Sequence, residues 1–263
     1  MYDERQMIHD SAIIHPTADI GKGVTIGPFC VIGQNVSIGS GTAIGSHVVI
    51  SRNTKIGDRN QIFHHAVLGE SPQDKKFKGE KTFLEIGDDN VIREFCTFNL
   101  GTQQDAGVTK VGDRNWIMAY VHIAHDCEVG NDVVLANCVQ LAGHVFVGNH
   151  SILGGFTGVH QFCRIGDHAF CGVGSVVVSD VPPFVMCMGN TVKPHGINVE
   201  GLKRRGFTSA DIADIKKAYK TLYRSSNTLP DAVASLESQE SDNPKLGLLV
   251  DFLKTRSGRG IIR

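Results

Sequence analysis

The stretch VTIGPFCVIGQNVSIGSGTAIG, residues 24–45, decides the fold. Isoleucine stands at 26, 32, 38 and 44, and glycine follows each one. A period of six fits no helix. At about 100° per residue, six steps spread successive isoleucines over three sides of the rod. Glycine would also recur through the helix interior at a cost of ~1 kcal/mol each. Ordinary hairpins need turn signals between strands of varying length, not a strict metre. A parallel β-helix fits: each hexad makes one flat side, and three hexads make one triangular coil. The aliphatic residue points inward, and the small residue after it is expected to permit the turn.

Outward from this stretch the metre runs back through Ile20 and Ile14 to Ile8 and on through Ile50, Ile56, Ile62 and Leu68. It returns in phase at Ile86, Ile92 and Phe98, slips by one, and resumes from Val111 to Val177. Of the 26 sites, all but Phe98 and Cys171 are Ile, Leu or Val, and 14 precede glycine. Such internal repetition marks a solenoid. With coils ~4.8 Å apart, about nine coils give a prism roughly 40 Å long.

The metre fails over residues 69–85 and 99–110, where phase would bury Asp74 and Glu80. Unpaired charges do not belong in a core, so both segments are expected to be excursions, and long loops often carry function. The metre ends at SDVPPFVMCMGN (179–190), where Pro182 and Pro183 break the ladder. The expected division is a β-helix over 1–190 and a C-terminal helical domain over 191–263. Thr208 to Asp211 reads as a capping box opening a helix with Ile212, Ile215, Tyr219 and Leu222 on one face. Pro230 and Pro244 can start two more helices, the last with Leu246, Leu249, Val250 and Leu253 as its buried stripe.

The 263 residues carry a net charge of -1, which excludes a global basic field for nucleic acid. Seven cysteines without a C-x-x-C pair read as reduced thiols in a small-residue core, hence a cytoplasmic protein. The first ten residues hold no apolar run, so no signal peptide is expected. No stretch approaches the ~18 apolar residues of a membrane span.

Residues 18 apart stack on adjacent coils. His125 therefore lies under Gly143 and then Gln161, and Asp126 under His144 and then Phe162. His122 and His160 lie beside them, and both excursions leave the prism near this edge. His9, His15, His47, His150 and His168 read as solvated or hydrogen-bonded turn residues, and His64 with His65 is ambiguous. Two chemistries compete for the patch. His122, His125 and His144 could hold a catalytic zinc, as in the carbonic anhydrases built on a left-handed β-helix. Alternatively His125 is a general base, Asp126 orients it, and the Gly143 N–H meets an oxyanion. The second set suits acyl transfer from a thioester to an alcohol.

HIAHDC (122–127), LAGHV (141–145), VHQF (159–162), QDKKFKGE (73–80), NVEGLKRRGF (198–207) and the terminal GIIR resemble the acyl-[acyl carrier protein]–UDP-N-acetylglucosamine O-acyltransferases of lipid A biosynthesis. The resemblance spans essentially the whole chain. It implies a left-handed parallel β-helix, a homotrimer with sites between subunits, and a Gram-negative cytoplasm. It implies that His125 deprotonates the glucosamine 3-hydroxyl, Asp126 supports it and Gly143 N–H holds the oxyanion. It implies that Gln73, His122, His144, His160 and Gln161 hold substrate, with Asp74 and Lys76 reaching in from the neighbouring chain. Asn198, Glu200, Arg204 and Arg205 would hold uridine and diphosphate. No cofactor is implied on the enzyme, since the phosphopantetheine belongs to the acyl carrier protein donor.

Two positions depart from the family pattern. Asn99 and Leu100 replace a common histidine–arginine pair; Asn99 could donate a hydrogen bond to a substrate amide but cannot act as acid or base. Val173, in GVG, replaces a glycine of some members and should shorten the acyl channel. A third reading, a non-catalytic trimeric scaffold, and a fourth, an amine acyltransferase, complete the alternatives. The fourth resembles this chain in the prism but has an extra N-terminal domain, for which hexads starting at Ile8 leave no room.

Overall fold

The computed structural model describes residues 7–240, 243–255 and 257–263; residues 1–6, part of the stretch read for a signal peptide, lie outside it. Its body is a parallel β-helix of triangular section with three sheets of eleven, nine and eight short strands. The first sheet holds ten parallel rungs before the chain doubles back, or about 43 Å at ~4.8 Å per rung. The hexad aliphatics fill the interior: Ile26, Ile32, Ile50, Ile92, Ile123 and Leu141 are all buried.

Most glycines that follow an aliphatic do not form the turn, Gly69 at φ 72° excepted. Gly27 has an ordinary backbone, but an added Cβ would lie 2.8 Å from the Gly45 carbonyl carbon one coil on. Close approach of coils, not the turn, excludes the side chain. The left-handed corner falls two residues later, at Phe29, Asn35, His47 and their counterparts. A second interior position, two before each aliphatic, holds valine at Val24, Val36 and Val48 and a small donor at others. Cys30 Sγ, Thr42 Oγ1 and Cys127 Sγ each reach a carbonyl of the next coil, at 2.9, 3.0 and 3.1 Å. Burial pushes the Cys96 and Cys127 thiols up to about 12, so both act as small neutral core residues.

Strand register explains the slip. Thr25 pairs with Ala43, 18 residues on, but Gln61 pairs with Val91 and Val91 with Trp116, 30 and 25 on. The interruptions thus insert 12 and 7 residues. Twelve is two hexads and preserves phase, whereas seven is one hexad plus one. Both excursions are shorter than expected. Ladder pairing carries the strands through Glu70 and Asn99 and resumes at Phe83 and Val108; with Leu100 still in the core, 71–82 and 101–107 lie outside the coils.

The boundary expected at 190 falls inside a hairpin. Val185–Gly189 closes the prism and pairs antiparallel with Val192–Ile197, so the helices begin only at α1, Val199–Arg204. The capping box holds for α2, Ser209–Tyr223, with Ile215, Tyr219 and Leu222 buried; Ala218 takes the place expected for Ile212, which is half-buried. Helices α3 (Leu229–Glu240) and α4 (Gly247–Lys254) follow, the latter with Leu249, Val250 and Leu253 buried. His168 is not solvated. It is buried, stacked 4.8 Å from His150, and its Nδ1 has no partner.

Candidate active site

Three successive corners build the site. Strand His122–Ile123 pairs with Thr97–Asn99 below and Gln140–Leu141 above. The chain then turns at His125 and Asp126, the latter at φ 58°, a conformation that short polar residues tolerate. One coil on, His144 N donates to His125 O at 3.0 Å; a further coil on, Phe162 N donates to Gly143 O at 3.2 Å. The stacking read from the sequence is therefore the stacking found.

The His125 ring lies on Gly143. A Cβ there would sit 2.6 Å from Cε1 and 2.7 Å from Nε2. His125 Nδ1 is 2.8 Å from Asp126 Oδ2, and a carboxylate can only accept. The proton therefore sits on Nδ1 and leaves Nε2 as an acceptor. Asp126 also accepts from Thr102 N at 2.8 Å and Thr102 Oγ1 at 2.7 Å. Burial works to raise its pKa, but the hydrogen bonds from His125 and Thr102 outweigh it and hold the carboxyl below its ordinary value. Among the described residues the Gly143 N–H donates to no protein acceptor.

A cavity of about 870 Å³ opens over these groups. Gln73, Asp74, Lys76, Asn99, His122, His125, Gly143, His144, His160 and Gln161 all line it, with Val176 to Val178 as an apolar wall. Asp74 and Lys76 were expected from a neighbouring chain, yet they line their own chain's cavity. The first excursion folds back because Arg52 Nη2 donates to Ser71 Oγ at 2.7 Å and Asn99 Nδ2 to Ser71 O at 3.2 Å. The Asn99 amide nitrogen is thus already engaged; its buried Oδ1 is the atom without a partner. Leu100 is fully buried in the core. His122 Nδ1 meets Thr97 Oγ1 at 2.7 Å, and burial lowers its pKa and favours the neutral ring.

Other expected residues stay apart from this cavity. Asn198 caps α1, accepting from Gly201 N at 3.1 Å and donating to His168 O at 3.0 Å. Glu200 pairs with Lys203, and Arg205 Nη1 donates to Gly201 O. Neither they nor Arg204 line the cavity, and Val173, 77% exposed, lies outside it too. The zinc reading fits less well than the base. The metal-capable cluster among the described residues is His125, Asp126 and His144, without His122. Its carboxylate is already committed to Thr102 and His125.

The chain is 59% identical over 256 residues to the acyl-[acyl-carrier-protein]–UDP-N-acetylglucosamine O-acyltransferase of Thiobacillus denitrificans, covering 97% of this chain and 99% of that one. It belongs to the UDP-N-acetylglucosamine O-acyltransferase family. The Alkalilimnicola ehrlichii relative of the same description is 57% identical over the same shares. The family model described as UDP N-acetylglucosamine O-acyltransferase, domain 2, matches residues 180–262, and the bacterial transferase hexapeptide model matches 17–52 and 109–143. The solved UDP-N-acetylglucosamine O-acyltransferase of Moraxella catarrhalis superposes with a TM-score of 0.96 at 48% identity, covering 97% of this chain and 99% of that one. The Francisella novicida acyltransferase gives 0.96 at 46%, covering 98% and 94%. The fold is accordingly the left-handed parallel β-helix expected, with a C-terminal helical segment.

Thr97, Thr102 and Gln104 escaped the sequence reading. The last two lie on the second excursion, whose length signalled function but whose path no periodicity encodes.

Proposed function

We propose that His125 is the general base that moves an (R)-3-hydroxyacyl group from acyl carrier protein to the 3-hydroxyl of UDP-N-acetylglucosamine, the opening reaction of lipid A biosynthesis. One observation carries the mechanism: an imidazole fixed by Asp126 lies against a bare glycine in the wall of the cavity. His125 Nε2 takes the hydroxyl proton as the oxygen attacks the thioester carbonyl. The oxyanion forms beside the Gly143 N–H. When the C–S bond breaks, the phosphopantetheine thiolate on the carrier takes the proton back from His125. Asp126 stays ionised throughout and stabilises the transient imidazolium.

His122, His144, His160, Gln161, Gln73, Asp74, Lys76 and Asn99 hold the sugar and acyl groups. Asn198, Glu200, Arg204 and Arg205, remote from their own cavity, serve the nucleotide of a neighbouring subunit. Exposed aromatics along one edge, Phe29, Phe95, Tyr120 and Phe156, support a homotrimer in which that edge is covered. Among the described residues no helix is long and apolar enough to cross a membrane, in keeping with a substrate and carrier of the Gram-negative cytoplasm. Incubation with UDP-N-acetylglucosamine and 3-hydroxyacyl-carrier proteins, with mass detection, tests the reading. A 3-O-acylated nucleotide sugar is expected; its absence with every donor would refute the function.

A further inference from the structure

The second excursion carries a carboxylate that stands behind a further site histidine, His144. Asp105 Oδ2 lies 2.7 Å from His144 Nδ1. The His144 ring stacks on Phe162, 4.4 Å between centroids at 9°, and meets His125 edge-on at 5.0 Å and 88°. Stacking fixes the plane of the ring, and the hydrogen bond fixes its rotation within that plane. A carboxylate only accepts, so Nδ1 carries the proton and the neutral ring presents Nε2 as a lone pair. The nearest carboxylate oxygen to Nε2 is Asp126 Oδ2 at 3.9 Å, too long for a hydrogen bond. The cavity therefore holds two imidazoles at right angles, each with its own carboxylate at Nδ1.

We propose that Asp105 is a positioning residue: it sets His144 Nε2 as the acceptor for a second hydroxyl of the sugar, the 4- or 6-hydroxyl, while His125 takes the reacting one. This rests on the function proposed above. Without Asp105 the ring is free to flip or to move its proton to Nε2, and it no longer reads a hydroxyl donor.

The test compares UDP-N-acetylglucosamine with its 4-deoxy and 6-deoxy analogues on the wild type, Asp105→Ala and Asp105→Glu. The wild type should lose about five- to tenfold in kcat/KM on one of the two analogues, the worth of one hydrogen bond. Asp105→Ala should lose a similar factor on the parent sugar, mainly through KM, and the deoxy penalty should shrink to within about twofold. Asp105→Glu should restore part of that penalty. An undiminished penalty in Asp105→Ala, or no penalty for either analogue in the wild type, would overturn the role. A wild type that acylates no nucleotide sugar at all would instead sink the proposed reaction.

Discussion

Gly143→Ala probes the contact on which the mechanism turns. The backbone at 143 lies outside the left-handed region, so alanine meets no conformational strain there. Its Cβ, however, would stand 2.6 Å from His125 Cε1 and 2.7 Å from Nε2. Carbon contacts settle near 3.5 Å, so the imidazole must retreat by about 0.9 Å. Asp126 on one side and His144 edge-on at 5.0 Å limit where it can go. A displacement near 1 Å in a reacting group costs about 10²-fold in rate. Steady-state acyl transfer should show kcat down about a hundredfold with KM for the nucleotide sugar little changed. The Gly143 N–H survives the substitution, so the loss reports on ring placement. A variant within threefold of wild-type kcat would refute the idea that catalysis depends on this packing.

Asp126→Asn should lower kcat by about 10²-fold at nearly constant KM, because the His125 tautomer is no longer fixed; single-turnover assays would register it, and activity within threefold would count against the pair. Val173, outside its own chain's cavity and exposed, reaches the donor only across a subunit interface; there it should restrict the donor to about ten to twelve carbons, and Val173→Gly should move preference toward fourteen. Rates across 3-hydroxyacyl donors check this, and a clear wild-type preference for fourteen carbons would contradict it. Burial, with His150 and Arg205 nearby, lowers His168 from its ordinary 6.5 to about 4. The unfolded chain binds the extra proton between those values, so stability present above pH 6.5 falls as the pH drops toward 4, by about 3 kcal/mol at most. Urea unfolding at pH 4.5 and 7.5 should show a shallower dependence in His168→Gln; an unchanged slope would exclude His168 as the source.

The prism was legible because its signal is metrical. A coil of 18 residues can close only if the aliphatic recurs every six, so phase alone predicts which residues stack, and His125 meets Gly143 as phase requires. Even the one-residue slip proved physical, an insertion of seven residues. Legibility failed where the metre does not reach. Glycines such as Gly27 and Gly45, which follow an aliphatic, serve coil-to-coil approach, not the turn. The hairpin Val185–Gly189 with Val192–Ile197 reads in the sequence as a boundary because Pro182 and Pro183, just before it, break the pattern. Thr102 and Asp105 meet Asp126 and His144 through a loop path that periodicity does not encode. His168 looked like one more turn histidine because its burial depends on Phe184 and on Phe207, which arrives from beyond the prism.

The most direct measurement is the rate of 3-O-acylation of UDP-N-acetylglucosamine by His125→Ala, with circular dichroism to show that the coils remain. Loss of about 10³-fold or more in kcat, with the fold intact, is expected of the general base. A folded His125→Ala protein that still acylates the sugar within tenfold of the wild type would contradict it.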